Sequence, residues 1–123
     1  WRLMRVLVTG GRKYPSRERV FQALDRLHEK AGIDAIIEGG HWDGADRFAR
    51  EWALDHGLVP ETYKADWTGL GGKAGPIRNA EMVRESRPDV CVGFPTPGEK
   101  NKGTRGCMDL ARKAGIEVVE IAL

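Results

Sequence analysis

"DAIIEGGHWDGADRFAREWALDHG", Asp34 to Gly57, is the stretch on which the fold turns. It opens with a short apolar run that ends at a glycine pair, Gly39-Gly40. The period then changes. Ala45, Phe48, Ala49 and Trp52 share one face of a helix, and Gly57 stands where a residue just past a helix cap belongs. A short strand, a tight glycine turn and an amphipathic helix make half of a βαβ unit.

The same alternation extends both ways along the chain. Upstream, "RVLVT" (Arg5 to Thr9) is a β-branched run closed by "GGR". The helix "SRERVFQALDRLHEK" follows, with Ser16 as N-cap and Val20, Leu24 and Leu27 at helical spacing. Downstream, "LVPETYKA" (Leu58 to Ala65) contains Pro60, which cannot donate to a ladder, so this strand is expected at an edge. "DWTGLGGKAG" reads as a loop, and Pro76 suits the first turn of the helix "PIRNAEMVRES". "DVCVGF" (Asp89 to Phe94) is a fourth strand. A helix opened by Thr104 or a neighbour ends at Gly115, and "EVVEI" is a fifth strand. Short strands alternating with helices predict an α/β, Rossmann-like, doubly wound parallel sheet of five strands with helices on both faces. Right-handed crossovers give the expected order 3-2-1-4-5.

The 123 residues are expected to form one domain. A net charge of +2 lacks the basic excess of a domain built to hold a nucleic-acid backbone, so no nucleic-acid partner is expected. No apolar run reaches membrane-spanning length and no signal peptide is evident, which predicts a cytoplasmic location and no membrane partner. Trp1, Arg2 and Leu3 are read as a ragged end before Met4, an alternative start. Cys91 and Cys107 are too few and too far apart for a disulfide framework or a zinc site, and no metal is expected.

In the order 3-2-1-4-5 the chain leaves strands one and four in opposite directions, opening a crevice at their carboxyl ends. Four glycine-bearing loops reach that edge. They bring Gly10, Gly11 and Arg12; Gly39, Gly40, Gly44 and Asp46; Gly75, Arg78 and Asn79; and Pro97, Gly98, Gly103 and Thr104. Glycine lets backbone N–H groups approach a bound oxygen, a helix N-terminus favours an anion, and arginine can bond phosphate through two parallel donors. A nucleotide-derived small molecule is the implied ligand, with no other cofactor indicated. Any one glycine pair is equally well explained as a turn. Neither GxGxxG after strand one nor a P-loop is present.

"RVLVTGGRKY", "IIEGGHWDGADRFAREWA", "ADWTGLGGKAGPIRNAEMV" and "PDVCVGFPTPGEKNKGT", in this order, resemble the SLOG superfamily, in particular its YspA/CpYpsA-related branch. The resemblance runs from about Arg5 to Ile121 and implies a Rossmann-like fold, a nucleotide or nucleotide-derived ligand and a homo-oligomer. More distantly the chain is similar to the Lonely Guy phosphoribohydrolases, which release the base from a nucleoside 5′-monophosphate. Their signature is PGGxGTxxE, preceded by a helical arginine. Arg78 is similar in placement to that arginine, and Pro97-Gly98 with Gly103-Thr104 is a stretched form of the phosphate loop. "EKNK" lengthens the spacing, and Cys107 stands where that family has its catalytic glutamate. A neutral thiol cannot supply the missing charge, so the resemblance supports binding more than turnover.

Other side chains have two readings each. Asp46 either caps the second helix and complements its dipole or contacts a ribose hydroxyl. Trp42 either stacks on a base or covers an apolar surface or a subunit contact, and Trp67 is either a lid or packing at the sheet edge. Trp52 and Phe48 read as core, Arg47 and Glu51 as an i, i+4 surface pair, and His41 as an exposed loop residue. Lys102 and Arg105 are expected near the phosphate. Cys91 reads as a small buried apolar side chain, and Cys107 is a nucleophile only if Arg105 and the helix N-terminus favour its thiolate, with no histidine placed to assist it. The leading expectation is a sensor or carrier of a nucleotide-derived ligand. In it Arg12, Arg78, Thr104 and glycine amides hold phosphate, while Asp46 and Asn79 orient the sugar. An N-glycosidic hydrolase using Arg78, its catalytic carboxylate unidentified, is a second reading. A DNA-processing-associated module is a third.

Overall fold

A computed structural model describes residues 3–123; Trp1 and Arg2, part of the expected ragged end, lie outside the described residues. The strands are β1 (Met4–Gly10), β2 (Ile33–Glu38), β3 (Glu61–Thr62), β4 (Val90–Phe94) and β5 (Glu117–Glu120). The helices are α1 (Arg17–Ala31), α2 (Gly44–Asp55), α3 (Trp67–Leu70), α4 (Ala74–Ser86) and α5 (Lys102–Lys113). The sheet order is β3-β2-β1-β4-β5, and all four pairings are parallel. β1 therefore lies beside β4, with Leu7 opposite Cys91 and Gly10 opposite Phe94.

Alternation along the central strands divides the core in two. Val6 and Val8 of β1 with Val90 and Val92 of β4 face α1 and α2, where Val20, Leu24, Ala49 and Trp52 are buried against them. Leu7, Ile37 and Cys91 point the other way, onto Met82, Val83, Met108 and Ala111 of α4 and α5. Helices thus cover both faces, as a parallel sheet with apolar residues on both sides requires. Ser16 accepts from the Arg19 amide and caps α1, and Gly57 (φ 73°) and Gly115 (φ 78°) follow the ends of α2 and α5. Gly44 opens α2 at φ 73°, and a methyl group there would lie 2.3 Å from the Gly11 carbonyl oxygen. Only glycine lets α2 begin directly beneath the β1 turn.

Two expectations need correction. The third strand, read over Leu58 to Ala65, is two residues long, because Pro60 has no N–H to extend the ladder. It does lie at the sheet edge. The segment read as a loop, Asp66 to Gly75, is mostly helical: α3, then a 3₁₀ turn at Gly71–Lys73, then the start of α4. Asp66 caps α3 by accepting from the Gly69 amide at 2.9 Å. Pro76 falls in the first turn of α4, two residues after its start. Among the described residues no helix is long and apolar enough to cross a membrane.

Candidate functional site

A cleft of about 1210 Å³ opens at the carboxyl ends of the strands. Gly10, Gly11 and Arg12 from the β1 turn line it, with Gly39, Gly40 and Asp46 from the β2 turn and α2, and Gly75, Arg78 and Asn79 from α4. Gly103 and Thr104 line it from α5. Three expected residues do not. Gly44 is buried under the Gly11–Arg12 backbone, where its role is packing. Pro97 and Gly98 form an exposed turn outside the cleft, because the extra length of "EKNK" carries that turn away from the helix start.

The cleft is positive. Arg12, Lys13, Lys64, Arg78, Lys102 and Lys113 line it against Asp46, Glu99 and Asp109. The approach to α5 sharpens this. Asn101 precedes the helix in the left-handed region (φ 56°, ψ 40°) and its side chain does not cap it. Instead Asn101 Oδ1 accepts from the Thr96 amide at 2.8 Å, and Nδ2 donates to the carbonyls of Thr96 and Glu99. That side chain braces the loop and leaves the first-turn amides of Lys102, Gly103 and Thr104 without a side-chain cap, at the cleft wall. Arg105, expected nearby, turns away to Glu120 at 3.4 Å.

Arg78 crosses the floor. Its Nη1 donates to the Gly39 carbonyl at 2.6 Å, and its Nε donates to Asn79 Oδ1 at 2.8 Å. Asn79 in turn donates through Nδ2 to the Gly103 carbonyl at 3.3 Å, so one chain of bonds joins the β2 turn, α4 and α5. Gly39 makes room for it: a methyl group there would lie 2.5 Å from Arg78 Nη1. Trp67, half exposed, overhangs the mouth; the Arg12 guanidinium lies 5.0 Å from its ring centroid, and Gly75 lies under the ring's far edge. Trp42 is largely exposed at the rim beside His41. His41, expected exposed, is half-buried, and its ring Nδ1 bonds to the backbone of Asp43.

Asp46 does not cap α2, whose N-cap position is Asp43. Its Oδ2 reaches back to accept from the His41 amide at 3.2 Å. Desolvation, and then the nearby Glu38 carboxylate, push its carboxyl up to about 6, against the lowering pull of the His41 amide, Arg78 and Arg50. Glu38 is the residue missed from sequence. It is fully buried, and accepts from the Gly40 amide and Arg50 Nη1, each at 2.7 Å, and from the Thr62 hydroxyl. Arg50 also donates to the His41 carbonyl at 2.6 Å, so this ion pair holds the β2 turn in shape. An acidic residue ending an apolar strand was its only signal.

A model of the YspA, cpYpsA-related SLOG family matches residues 4–69. The chain belongs to that family. The matched segment of this SLOG protein runs from β1 through most of α3 and includes both glycine turns and Asp46; Arg78 and the α5 approach lie beyond it. Along nearly its full length the SLOG chain is similar to the Gene 61 protein of Mycobacterium phage D29. The two are 42% identical over 123 residues, covering 95% of each chain. Membership points to a nucleotide-related function. The position at which the distantly similar hydrolases carry their glutamate, Cys107, is a free, fully buried thiol that packs in the same apolar cluster as Cys91. The neighbouring Cys107 thiol, and then burial, push the Cys91 thiol well above its ordinary value. Neither sulfur is exposed to act as a nucleophile.

Proposed function

We propose that the cleft binds a phosphate-bearing, nucleotide-derived ligand as a sensor or carrier. The observation that carries this reading is the α5 N-terminus, free of a side-chain cap, facing a cleft where six cationic side chains oppose three carboxylates. Uncapped amides and a partial positive charge there complement phosphate oxygens. Arg12 and Thr104 extend the cradle, the Gly10-Gly11 turn lines it without side chains, and Arg78 crosses the floor between it and the β2 turn. The exposed rings of Trp42 and Trp67 at the mouth suit a flat heterocycle.

Thermal unfolding with pyrophosphate, nucleoside mono- and diphosphates, ADP-ribose and NAD tests this. A ligand at a hundred times its dissociation constant adds roughly 2.7 kcal/mol. Binding by no phosphate compound, or a shift with DNA alone, overturns it.

Asp46 favours a second reading, hydrolysis of an N-glycosidic bond. A carboxyl that exchanges its proton near pH 6 within the cleft is suited to acid–base work. Free base released from a nucleoside 5′-monophosphate would support this reading; binding without release leaves the carrier.

A further inference from the structure

A carboxylate is out of place in a cleft for phosphate, because it repels the ligand and loses hydration to sit there. Asp46 is half-buried in that position. A methyl group at Gly39 would lie 3.1 Å from its Oδ2 and 2.5 Å from Arg78 Nη1, so carboxylate and guanidinium crowd the same glycine. They nevertheless form no ion pair among the described residues. Arg78 gives its hydrogen bonds to Gly39, Asn79 and Tyr63. Asp46 Oδ2 receives the His41 amide, and Oδ1 has no hydrogen-bond donor among the described residues.

Glu38 cannot take over the contact that Asp46 leaves open. It ends β2, where dinucleotide-binding folds place an acid near a ribose. Here it is sealed by Gly40, Arg50 and Thr62 and has no exposed surface. Asp46 is thus the acid at this end of the cleft that faces the ligand space. What it lacks is a donor, and phosphate has none to offer. Asp46 lines the same cleft as Lys102, Gly103 and Thr104 of the α5 first turn and as Trp42 and Trp67. The group that lies between a phosphate at α5 and a heterocycle at Trp42 or Trp67 is the sugar, and its hydroxyls are donors.

We propose that Asp46 selects ribonucleotides over 2′-deoxyribonucleotides by accepting hydrogen bonds from the ribose hydroxyls. This deepens the phosphate-cleft reading and rests on it. The loss of one hydroxyl leaves a desolvated carboxylate oxygen unpaired, which is costlier than the bond itself is worth.

Calorimetric titration at pH 8 with inorganic pyrophosphate, ribonucleoside 5′-diphosphates and their 2′-deoxy counterparts tests it. The expected result is a preference on the order of tenfold or more for the ribo form. Asp46→Asn, which keeps an acceptor for the His41 amide, should lower ribonucleotide affinity to the deoxy level and leave pyrophosphate binding intact. Equal ribo and deoxy affinities in the wild-type protein, with pyrophosphate bound, overturn the sugar assignment alone. Discrimination that survives in Asp46→Asn also overturns it, and would point to a base N–H or another residue. If neither pyrophosphate nor any nucleotide binds, both readings fall.

Discussion

Arg78 Nη1 donates to the carbonyl of Gly39, 39 residues earlier in the chain, at 2.6 Å. That bond makes the β2 turn and α4 a single wall of the cleft. It also holds a guanidinium beside ligand space with its charge unpaired by any carboxylate within 4 Å among the described residues.

Disturbing either partner should therefore weaken binding. Arg78→Ala loses the charge and the brace together, and is expected to eliminate the pyrophosphate-induced thermal shift. Gly39→Ala keeps every charge but places a methyl group 2.5 Å from Nη1 and 2.8 Å from Cζ, which must displace the guanidinium. It should weaken pyrophosphate binding by on the order of tenfold, the cost of one displaced charge-assisted bond. A Gly39→Ala protein that binds as the wild type does would show that Arg78 is a structural brace and nothing more.

The Glu38–Arg50 pair should dominate local stability. Arg50→Ala leaves a fully buried carboxylate without its cation and frees the His41 carbonyl. Breaking one side of such a pair costs about 3–5 kcal/mol. Urea denaturation should show the midpoint falling accordingly, whereas Arg47→Ala, which removes exposed i, i+4 partners only, should change stability by less than about 1 kcal/mol.

Asp46 predicts a pH signature of the opposite sign to the usual carboxylate. Its folded value, about 6, lies above the ordinary 3.8. The unfolded chain therefore loses the proton first as pH rises, and stability from this group is full below pH 4 and lost by pH 6. Glu38 facing it from β2 adds to the rise; Arg50 from α2, Arg78 from α4 and the His41 amide oppose it. Asp46→Asn should raise the melting temperature at pH 8 by on the order of 5 °C and leave it unchanged at pH 4. Equal shifts at both pH values would mean that the charge is not what costs stability.

Cys91 and Cys107 should be inert while the protein is folded. Both have no exposed surface, and a thiol needs access as well as ionisation to react. Ellman's reagent should titrate both only after unfolding. Fast labelling of Cys107 in the native state would revive it as a nucleophile.

Much of the architecture is legible along the chain because its causes are local. The switch from the run before Gly39 to the helical spacing of Ala45, Phe48, Ala49 and Trp52 needs only neighbouring residues, as do the Ser16 cap and the glycines past the ends of α2 and α5. The observed order, β3-β2-β1-β4-β5, then follows from the right-handed crossover rule. Helicity from Asp66 to Gly75 was hidden because glycines mask it, and because contacts with Arg12 and Gly75 help to hold Trp67 in place.

Tertiary structure alone decided what the acidic residues do. Glu38 and Asp46 are eight positions apart and alike in charge, yet one is sealed by Arg50 and Thr62 and the other faces the cleft. A carboxylate's proton affinity and availability depend on desolvation and on charges within a few ångströms, and those neighbours come from β2, β3, α2 and α4. Periodicity records which face a residue occupies; it carries no information about which distant group will meet it there.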